Sequence, residues 1–317
     1  MQPAPDLDRR IIAALQVNGR ASWTQIAEVL GEAERTVARR GTELLELGIV
    51  RVVGFSGPHS SVLVRVSCAT GTVRTTATAL AQRADCVFAY ALSGSIECVA
   101  QLQITQDRLA TVVLEELPGT IGLIRAQADP EIRTFRSVRQ WHPGILNADQ
   151  VRRLSVAPFG VSQPNTVDLS ALKQADHLIL RELAVDGRAS TATLARAAGV
   201  SETTARRRLE WLQASGMVWL RAIVEPAVLG FPVEAMLWMK VRPGSIDVVA
   251  EKLLDAVEVR WAVALAGEYD LAVDVAVRDS SELYSLVSST DWGQHVNDIE
   301  TTVVLEAMKR SRTRVST

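Results

Sequence analysis

The tetrapeptide Gly187-Arg188-Ala189-Ser190 has an identical copy earlier in the chain, at Gly19-Arg20-Ala21-Ser22. The match extends around both copies without a gap, and the further pairs are Asp8 with Asp176, Gly31 with Gly199, Arg39-Arg40 with Arg207-Arg208, Leu44 with Leu212, and Gly48 with Gly216. Chance does not produce so long an ungapped match. The chain therefore carries an internal duplication, whose period is far longer than that of a solenoid repeat.

Length and composition indicate a globular protein of several domains. The chain has 317 residues, 48% of them hydrophobic, 22% charged, and a net charge of −2, which suits two to four domains and argues against a surface that binds polyanions throughout. The first residues show no secretion signal and no apolar run is long enough to span a membrane, so a cytoplasmic location is expected. The three cysteines lack a CxxC spacing, so we expect reduced thiols and neither a metal nor a cofactor.

The first copy has the pattern of three short helices. Apolar residues recur on one face of residues 6–17. Ser22 begins a second helix and forms a capping box with Gln25. A third helix is expected over 33–47, and Gly48 follows it where a left-handed cap is wanted. Three helices joined by tight turns predict a helix-turn-helix.

The third helix determines what this helix-turn-helix could bind. If Val37 and Leu44 face the core, Arg35 and Arg39 point away from it. Guanidinium groups on the second helix of the turn suit guanine edges and phosphates in a DNA major groove. The alternative is an ordinary solvated charged face, which is less favoured because the whole pattern recurs.

The predicted DNA contacts come from both copies. Arg40 lies near the core edge, where a structural partner such as Asp8 on the first helix is favoured over a base contact. The complete predicted set is Arg35, Thr36, Arg39, Arg40, Thr203, Thr204, Arg206 and Arg207.

The segment after each helix-turn-helix reads as a sheet domain. β-branched alternating runs and intervening helices give the order β-α-β-β-α-β, including a helix over Asp107–Leu117 and a last strand over Ile121–Ala128. A segment rich in Pro and Gly separates the two halves. The fold class is thus α+β, and the expected domains are a helix-turn-helix over 1–53, a sheet domain over 54–138, a linker over 139–168, a second helix-turn-helix over 169–222 and a second sheet domain over 223–317.

These features resemble the Lrp/AsnC family of transcription regulators. The resemblance rests on the repeated Gly-Arg-Ala-Ser, on Ser-x3-Ala-x2-Arg-Leu-x2-Leu-x3-Gly from Ser201 to Gly216, and on Gly267-Glu268-Tyr269-Asp270 between two strands. It implies a winged-type helix-turn-helix followed by a βαββαβ ferredoxin-like domain that senses amino acids (the RAM domain) and mediates oligomerisation. Ordinary members carry one such unit, so this chain resembles a tandem fusion.

The first repeat departs from the family pattern in three places. Ala33 replaces the serine that usually caps the recognition helix. Gly41 lies inside that helix, where glycine costs about 1 kcal/mol relative to alanine. Gly94-Ser95-Ile96-Glu97 replaces Gly-x-Tyr-Asp.

The resemblance places an effector at the second turn. Gly267 would allow a close backbone approach, Tyr269 offers a ring and a hydroxyl, and Asp270 can accept from an ammonium group. An amino acid or a similar zwitterion therefore fits, although a plain hairpin turn would use Gly and Asp as well. Because Ile96 replaces the tyrosine in the first repeat, we expect fewer ligand sites than repeats.

The functional expectation is a regulator that binds double-stranded DNA, responds to a small molecule such as an amino acid, and forms a homo-oligomer of at least two chains. The alternative is an enzyme resembling siroheme decarboxylases, which share the scaffold. Histidines could serve such chemistry, but they stand at no telling spacing: His59, His142, His177 and His295. We therefore expect no catalytic residues and no enzyme activity.

Overall fold

The computed structural model describes residues 3–56, 60–155, 171–311 and 313–314. The elements of the first half are α1 (Asp6–Val17), α2 (Trp23–Leu30), α3 (Glu34–Glu46), β1 (Val50–Ser56), β2 (Ser61–Cys68), α4 (Val73–Gln82), β3 (Cys86–Leu92), β4 (Cys98–Gln103), α5 (Leu109–Thr111), β5 (Leu123–Arg136) and α6 (Ala148–Leu154). Those of the second half are α7 (Gln174–Val185), α8 (Thr191–Ala198), α9 (Glu202–Ala214), β6 (Val218–Val224), α10 (Pro226–Leu229), β7 (Val233–Val241), α11 (Ile246–Leu254), β8 (Val259–Leu265), β9 (Leu271–Val277), α12 (Ser280–Val287), α13 (Thr290–Gly293), β10 (Val296–Arg310) and β11 (Thr313–Arg314). The fold is α+β. None of the described helices has the length and apolar character that a membrane span requires.

The packing divides the chain differently from the predicted order of domains. One compact unit comprises Met1–Pro58 and His142–Gly230, and the other comprises His59–Trp141 and Phe231–Thr317. Each unit thus combines a segment from each half, because strands of one half pair with strands of the other. Helix α6 lies inside the predicted linker, whereas His59 and linker residues 156–168 are outside the described part of the chain.

In the first unit, both helix-turn-helix segments share a two-stranded ribbon. β1 and β6 pair antiparallel, and Val53 lies opposite Arg221. Arg221 is also the residue that corresponds to Val53 in the duplication. A local two-fold axis therefore passes between these two residues and relates the two helix-turn-helix segments.

In the second unit, the strands close into a ring. The hydrogen-bonded order is β10-β3-β4-β2-β5-β8-β9-β7, and β7 pairs back with β10. All of these neighbours are antiparallel. Strands from the two halves occupy opposite places in the ring, so the local two-fold axis of this unit runs along the axis of the barrel.

Three apolar clusters account for the layers of this barrel. One lies between the first-half strands and α4, and another lies between the second-half strands and α11. The third fills the interior, where Phe88, Trp238 and Trp261 from both halves pack together. The two sheet segments therefore cover each other within one chain.

Two predicted elements differ in the structure. The last strand of the first half runs beyond the predicted Ala128, because its second part leaves β2 and pairs with β8. The predicted helix over Asp107–Leu117 is instead a series of short turns of different helical types. Val112 and Leu117 of this segment are buried in the apolar cluster of the first-half strands.

Candidate nucleic-acid interface and effector turn

The recognition helices α3 and α9 begin differently. The Oγ of Ser201 accepts a hydrogen bond from the Thr204 amide at 3.2 Å and caps α9. Ala33 precedes α3 and provides no side-chain cap. An N-terminal hydroxyl cap contributes roughly 1 kcal/mol, so the predicted weakness at the start of α3 is present in the structure.

Most of the predicted DNA-contacting side chains are at the surface. Val37 and Leu44 are buried, while Arg35 and Arg39 are exposed on the other face of α3. The Arg39 side chain is 66% exposed, and its Nη1 lies 3.6 Å from Glu43. Three more of the predicted residues are exposed, namely Thr203, Arg206 and Arg207. Two are half-buried, namely Thr36 and Thr204.

Arg40 makes the structural contact with Asp8 that the sequence favours over a base contact. Its Nε donates to Asp8 at 2.9 Å, and its Nη1 donates to Glu43 at 2.8 Å. The hydrogen bond with Asp8 raises the pKa of Arg40. Arg208 pairs with Asp176 in the same way in the second half, at 2.6 Å. In each half this arginine joins the third helix to the first, so its role is structural.

The repeated Gly-Arg-Ala-Ser segments bind each other reciprocally. Arg20 Nη1 donates to the carbonyls of Gly187 and Ala189 at 2.9 and 3.0 Å. Arg188 Nη1 donates to the carbonyls of Gly19 and Ala21 at 2.7 and 3.1 Å. Burial lowers the pKa of both arginines. The most similar stretch of the two halves is thus the contact between their helix-turn-helix segments.

The glycine inside α3 accommodates an aromatic ring. A Cβ on Gly41 would collide with the Trp23 ring. The Arg188 guanidinium covers that ring at 4.6 Å from its centroid. In the second half, the corresponding residues are Thr191 and Leu209. The first half therefore places the large side chain on the second helix of its helix-turn-helix, and the second half places it on the third.

Each residue of the predicted effector turn has an internal contact. The Tyr269 hydroxyl donates to Glu300, and its ring is buried beside Trp238 at a centroid distance of 5.9 Å. Asp270 accepts from the Val241 amide at 2.7 Å. A Cβ on Gly267 would collide with Asp129, and the φ of Gly267 is not positive. The glycine is thus required by a close approach of protein rather than by a left-handed conformation.

Charged groups that the sequence analysis missed surround this turn. Arg65 Nε donates to Asp129 at 2.8 Å, and Arg65 Nη1 donates to Glu268 at 3.3 Å. Lys240 Nζ lies 3.5 Å from Glu268. Burial raises the pKa of Glu268, but the hydrogen bonds and positive charges of Arg65 and Lys240 together outweigh it, so the pKa is lowered. No local motif marks Arg65 or Asp129, because the first half supplies them to a turn of the second.

The corresponding turn of the first half is simpler. Glu97 accepts from the Cys68 amide at 2.6 Å, as Asp270 does from Val241. Ile96 is buried in the barrel interior. Where the second turn meets Arg65 and Asp129, this turn meets Trp238 and Thr302, whose side chains bond each other at 3.0 Å. The two turns are therefore equivalent in place and different in chemistry.

Comparison with known proteins identifies the family. The AsnC-type helix-turn-helix domain matches residues 6–44 and 174–213, and the Lrp/AsnC ligand binding domain matches residues 234–314. An uncharacterised HTH-type transcriptional regulator of Pyrococcus furiosus is 30% identical over 146 residues, which are 45% of this chain and 99% of that protein. The chain belongs to the Lrp/AsnC family. The HTH-type transcriptional regulator FL11 of Pyrococcus abyssi is 29% identical over 142 residues, 44% of this chain and 94% of the relative. Each of these relatives matches less than half of this Lrp/AsnC chain.

A solved structure matches this Lrp/AsnC chain over nearly its full length and corrects one expectation. The siroheme decarboxylase NirDL covers 99% of this chain, and 95% of NirDL is covered in turn, with a TM-score of 0.62 and 13% identity. At this identity the likeness shows the fold alone. NirDL, which shares the fold over its full length, is nevertheless an enzyme. The expectation that a chain with this fold has no enzyme activity is therefore wrong.

Proposed function

We propose that the chain is a sequence-specific DNA-binding transcription regulator of Lrp/AsnC type. The observation that carries the proposal is the pair of helix-turn-helix segments related by a local two-fold axis, each with exposed arginines on its third helix. DNA half-sites of inverted orientation demand this symmetry. The relatives named as transcriptional regulators support the same function.

The proposed DNA contacts are the predicted set without Arg40. The two recognition helices, which we call the readers, carry different residues. The first reader, α3, has Arg35, Thr36 and Arg39, and the second, α9, has Thr203, Thr204, Arg206 and Arg207. We therefore expect one chain to bind an imperfect palindrome. In this proposal the chain is a tandem duplication of a helix-turn-helix and a ferredoxin-like βαββαβ segment, with the domain limits predicted above, acting in the cytoplasm as an oligomer of chains.

DNA binding is tested by changing one arginine in each reader. Arg39→Ala and Arg207→Ala should each weaken binding to DNA from the protein's own locus by about 1–3 kcal/mol, measured by fluorescence anisotropy. Arg181→Ala is the matched control, because Arg181 is exposed on α7, outside the recognition helices. If both variants bind like the wild type while Arg181→Ala does too, the proposed interface is wrong.

The proposed effector is an amino acid or a similar zwitterion at the turn of Gly267, Tyr269 and Asp270. The family match to a ligand binding domain over 234–314 supports this site. Charges of both signs stand beside the turn, and Lys240 and Glu268 are partly exposed there. An ammonium and a carboxylate would each meet an opposite charge.

Calorimetric titration against the twenty amino acids tests the effector site. Glu268→Ala and Lys240→Ala should each weaken binding, and neither change removes a buried group. Asp270→Ala also removes the cap on the Val241 amide, so its effect counts only if the thermal midpoint is retained. If none of the three changes weakens the binding of the amino acid, the effector site lies elsewhere.

A second candidate function is a tetrapyrrole-processing activity like that of siroheme decarboxylase. The observation that favours it is the full-length likeness to NirDL, which was also solved with an iron-uroporphyrin III analogue. Titration with siroheme, followed by visible absorption and by mass spectrometry of the product, tests this candidate. A stoichiometric spectral change with loss of carbon dioxide would support it over the regulator.

A further inference from the structure

Helix α6 packs along the second helix of the first helix-turn-helix. Leu154, at the end of α6, is fully buried. Its carbonyl accepts from Asn18 Nδ2 at 3.2 Å, just before α2 begins. Nearer the start of α6, Gln150 Nε2 donates to the Val29 carbonyl at 3.3 Å, close to the end of α2. α6 therefore runs antiparallel to α2 and covers one side of it.

The side of α2 that α6 covers differs in charge from its counterpart in the second half. Val29 is buried, whereas the equivalent residue of α8, Ala197, is exposed. Arg153 of α6 holds its Nη2 3.1 Å from Glu28 Oε1. The residue equivalent to Glu28 is Arg196, which is exposed on α8. Each half thus presents an arginine at this place, from α8 itself in the second half and from α6 in the first.

The end of α6 lies near the end of the helix-turn-helix that would face DNA. Thr24 Oγ1 in the first turn of α2 donates to Glu34 in the first turn of α3 at 2.8 Å, so these two helices begin side by side. Gln25 Nε2, one residue further on, donates to the Arg153 carbonyl at 3.4 Å. On DNA, the recognition helix contacts bases through its N-terminal residues, and the helix before it crosses the phosphate backbone. The last turn of α6 therefore lies beside the expected path of that backbone.

We propose that Arg153 in the first half and Arg196 in the second bind phosphate groups of the DNA backbone. Guanidinium groups suit phosphate oxygens, and such contacts position a protein on the duplex without reading its sequence. Glu28 by itself would repel a phosphate, and Arg153 offsets its charge. The side chains of Arg153 and Glu28 are 41% and 74% exposed, and an ion pair between exposed groups is weak enough to rearrange toward a phosphate.

This inference rests on the proposed DNA binding and deepens it, because it makes α6 part of the DNA-binding surface. A helix that follows the first sheet segment then supplies to the first helix-turn-helix a charge that α8 carries in its own sequence. The two halves would hold the backbone at equivalent places by different means.

The salt dependence of binding tests both arginines. Fluorescence anisotropy over a range of salt concentrations measures affinity for DNA from the protein's own locus and for a duplex of scrambled sequence. Arg153→Ala and Arg196→Ala should each weaken binding to both duplexes by the same factor, and each should reduce the slope of log affinity against log salt by about 1. Gln150→Ala is the matched control, because it removes a hydrogen bond between α6 and α2 without changing a charge. It should leave the salt slope unchanged.

A rescue variant separates a phosphate contact from a structural role of α6. Glu28→Arg gives α2 the residue that α8 has at this position, so combined with Arg153→Ala it should restore the affinity and the salt slope. A double variant that binds no better than Arg153→Ala overturns the phosphate contact. Unchanged slopes in Arg153→Ala and Arg196→Ala, while Arg39→Ala still weakens binding, overturn this inference alone. A wild type that binds neither duplex overturns the proposed function and this inference with it.

Discussion

At the scale of single residues, the paired arginines of the repeated tetrapeptide have a structural role. Arg20 and Arg188 donate across the local two-fold axis to backbone carbonyls of the other segment. Gly19 and Gly187 let both segments lie close against the ribbon of β1 and β6, because a Cβ on either would press against Val52. The residues most alike in the two halves are those that face their own counterparts.

Replacing Arg20 should therefore destabilise the helix-turn-helix pair. Arg20→Ala leaves the Gly187 and Ala189 carbonyls without their donor, and we expect a loss of about 1–3 kcal/mol of unfolding free energy. Chemical denaturation followed by circular dichroism measures it. Arg181→Ala, an exposed arginine, should change the free energy by less than about 0.5 kcal/mol. Equal effects of the two changes would contradict this role.

The half-buried carboxyl of Glu131 predicts how stability depends on pH. Burial raises the pKa of Glu131 from an ordinary 4.5 to about 7, and the hydrogen bond from Gln101 offsets only part of this. An acid whose pKa is higher in the folded state stabilises the fold below its unfolded pKa, and that contribution is lost as pH rises through the folded value. The wild type should lose on the order of 1–3 kcal/mol of this contribution between pH 4.5 and 8.

Glu131→Gln should flatten that part of the profile, because glutamine has no proton to lose. Unfolding free energies of the two proteins, measured across this range, provide the comparison. A profile that stays as steep in the variant would show that another group titrates.

At the scale of elements, α3 and α9 achieve the same packing by different means. Gly41 with Trp23 in one half corresponds to Leu209 with Thr191 in the other. Glycine inside a helix normally costs about 1 kcal/mol relative to alanine. Here the indole occupies the space, so a side chain on residue 41 is excluded.

Gly41→Ala should consequently destabilise the protein by about 1–3 kcal/mol, although helix propensity alone predicts a gain. Transplanting the second half's pair, as Trp23→Thr with Gly41→Leu, should be tolerated better than Gly41→Leu alone. Thermal unfolding of the three variants decides the matter. A stabilised Gly41→Ala would show that the ring moves aside freely.

At the scale of the whole molecule, each compact unit contains a local two-fold axis within a single chain. The ribbon of β1 and β6 holds the two helix-turn-helix segments together, and the ring of strands joins the two sheet segments. A dimer can adopt such symmetry only at sufficient concentration. This chain has it by connectivity.

The ribbon fixes the distance between the two readers, so the spacing between the two half-sites of the operator should affect the binding affinity. Inserting about half a helical turn, roughly 5 bp, between the half-sites should weaken binding by about tenfold or more, because the second half-site turns away from its reader. Anisotropy with the two DNA duplexes measures this, and a substitution of equal length that keeps the spacing is the control. Equal affinity for both duplexes would mean that the readers move independently.

The sequence by itself determined the duplication, the helix-turn-helix segments, the exposed faces of their third helices and the family, because these follow from local periodicity, capping and motif spacing. It also indicated that Arg40 could pair with Asp8. Only the tertiary structure decided that Arg20 and Arg188 bind each other's segments, that β5 and β10 join the two sheets, and that Arg65 and Asp129 surround the turn of the other half. Those contacts join residues far apart in the chain, and no local pattern encodes which distant carbonyl or carboxylate a guanidinium will meet.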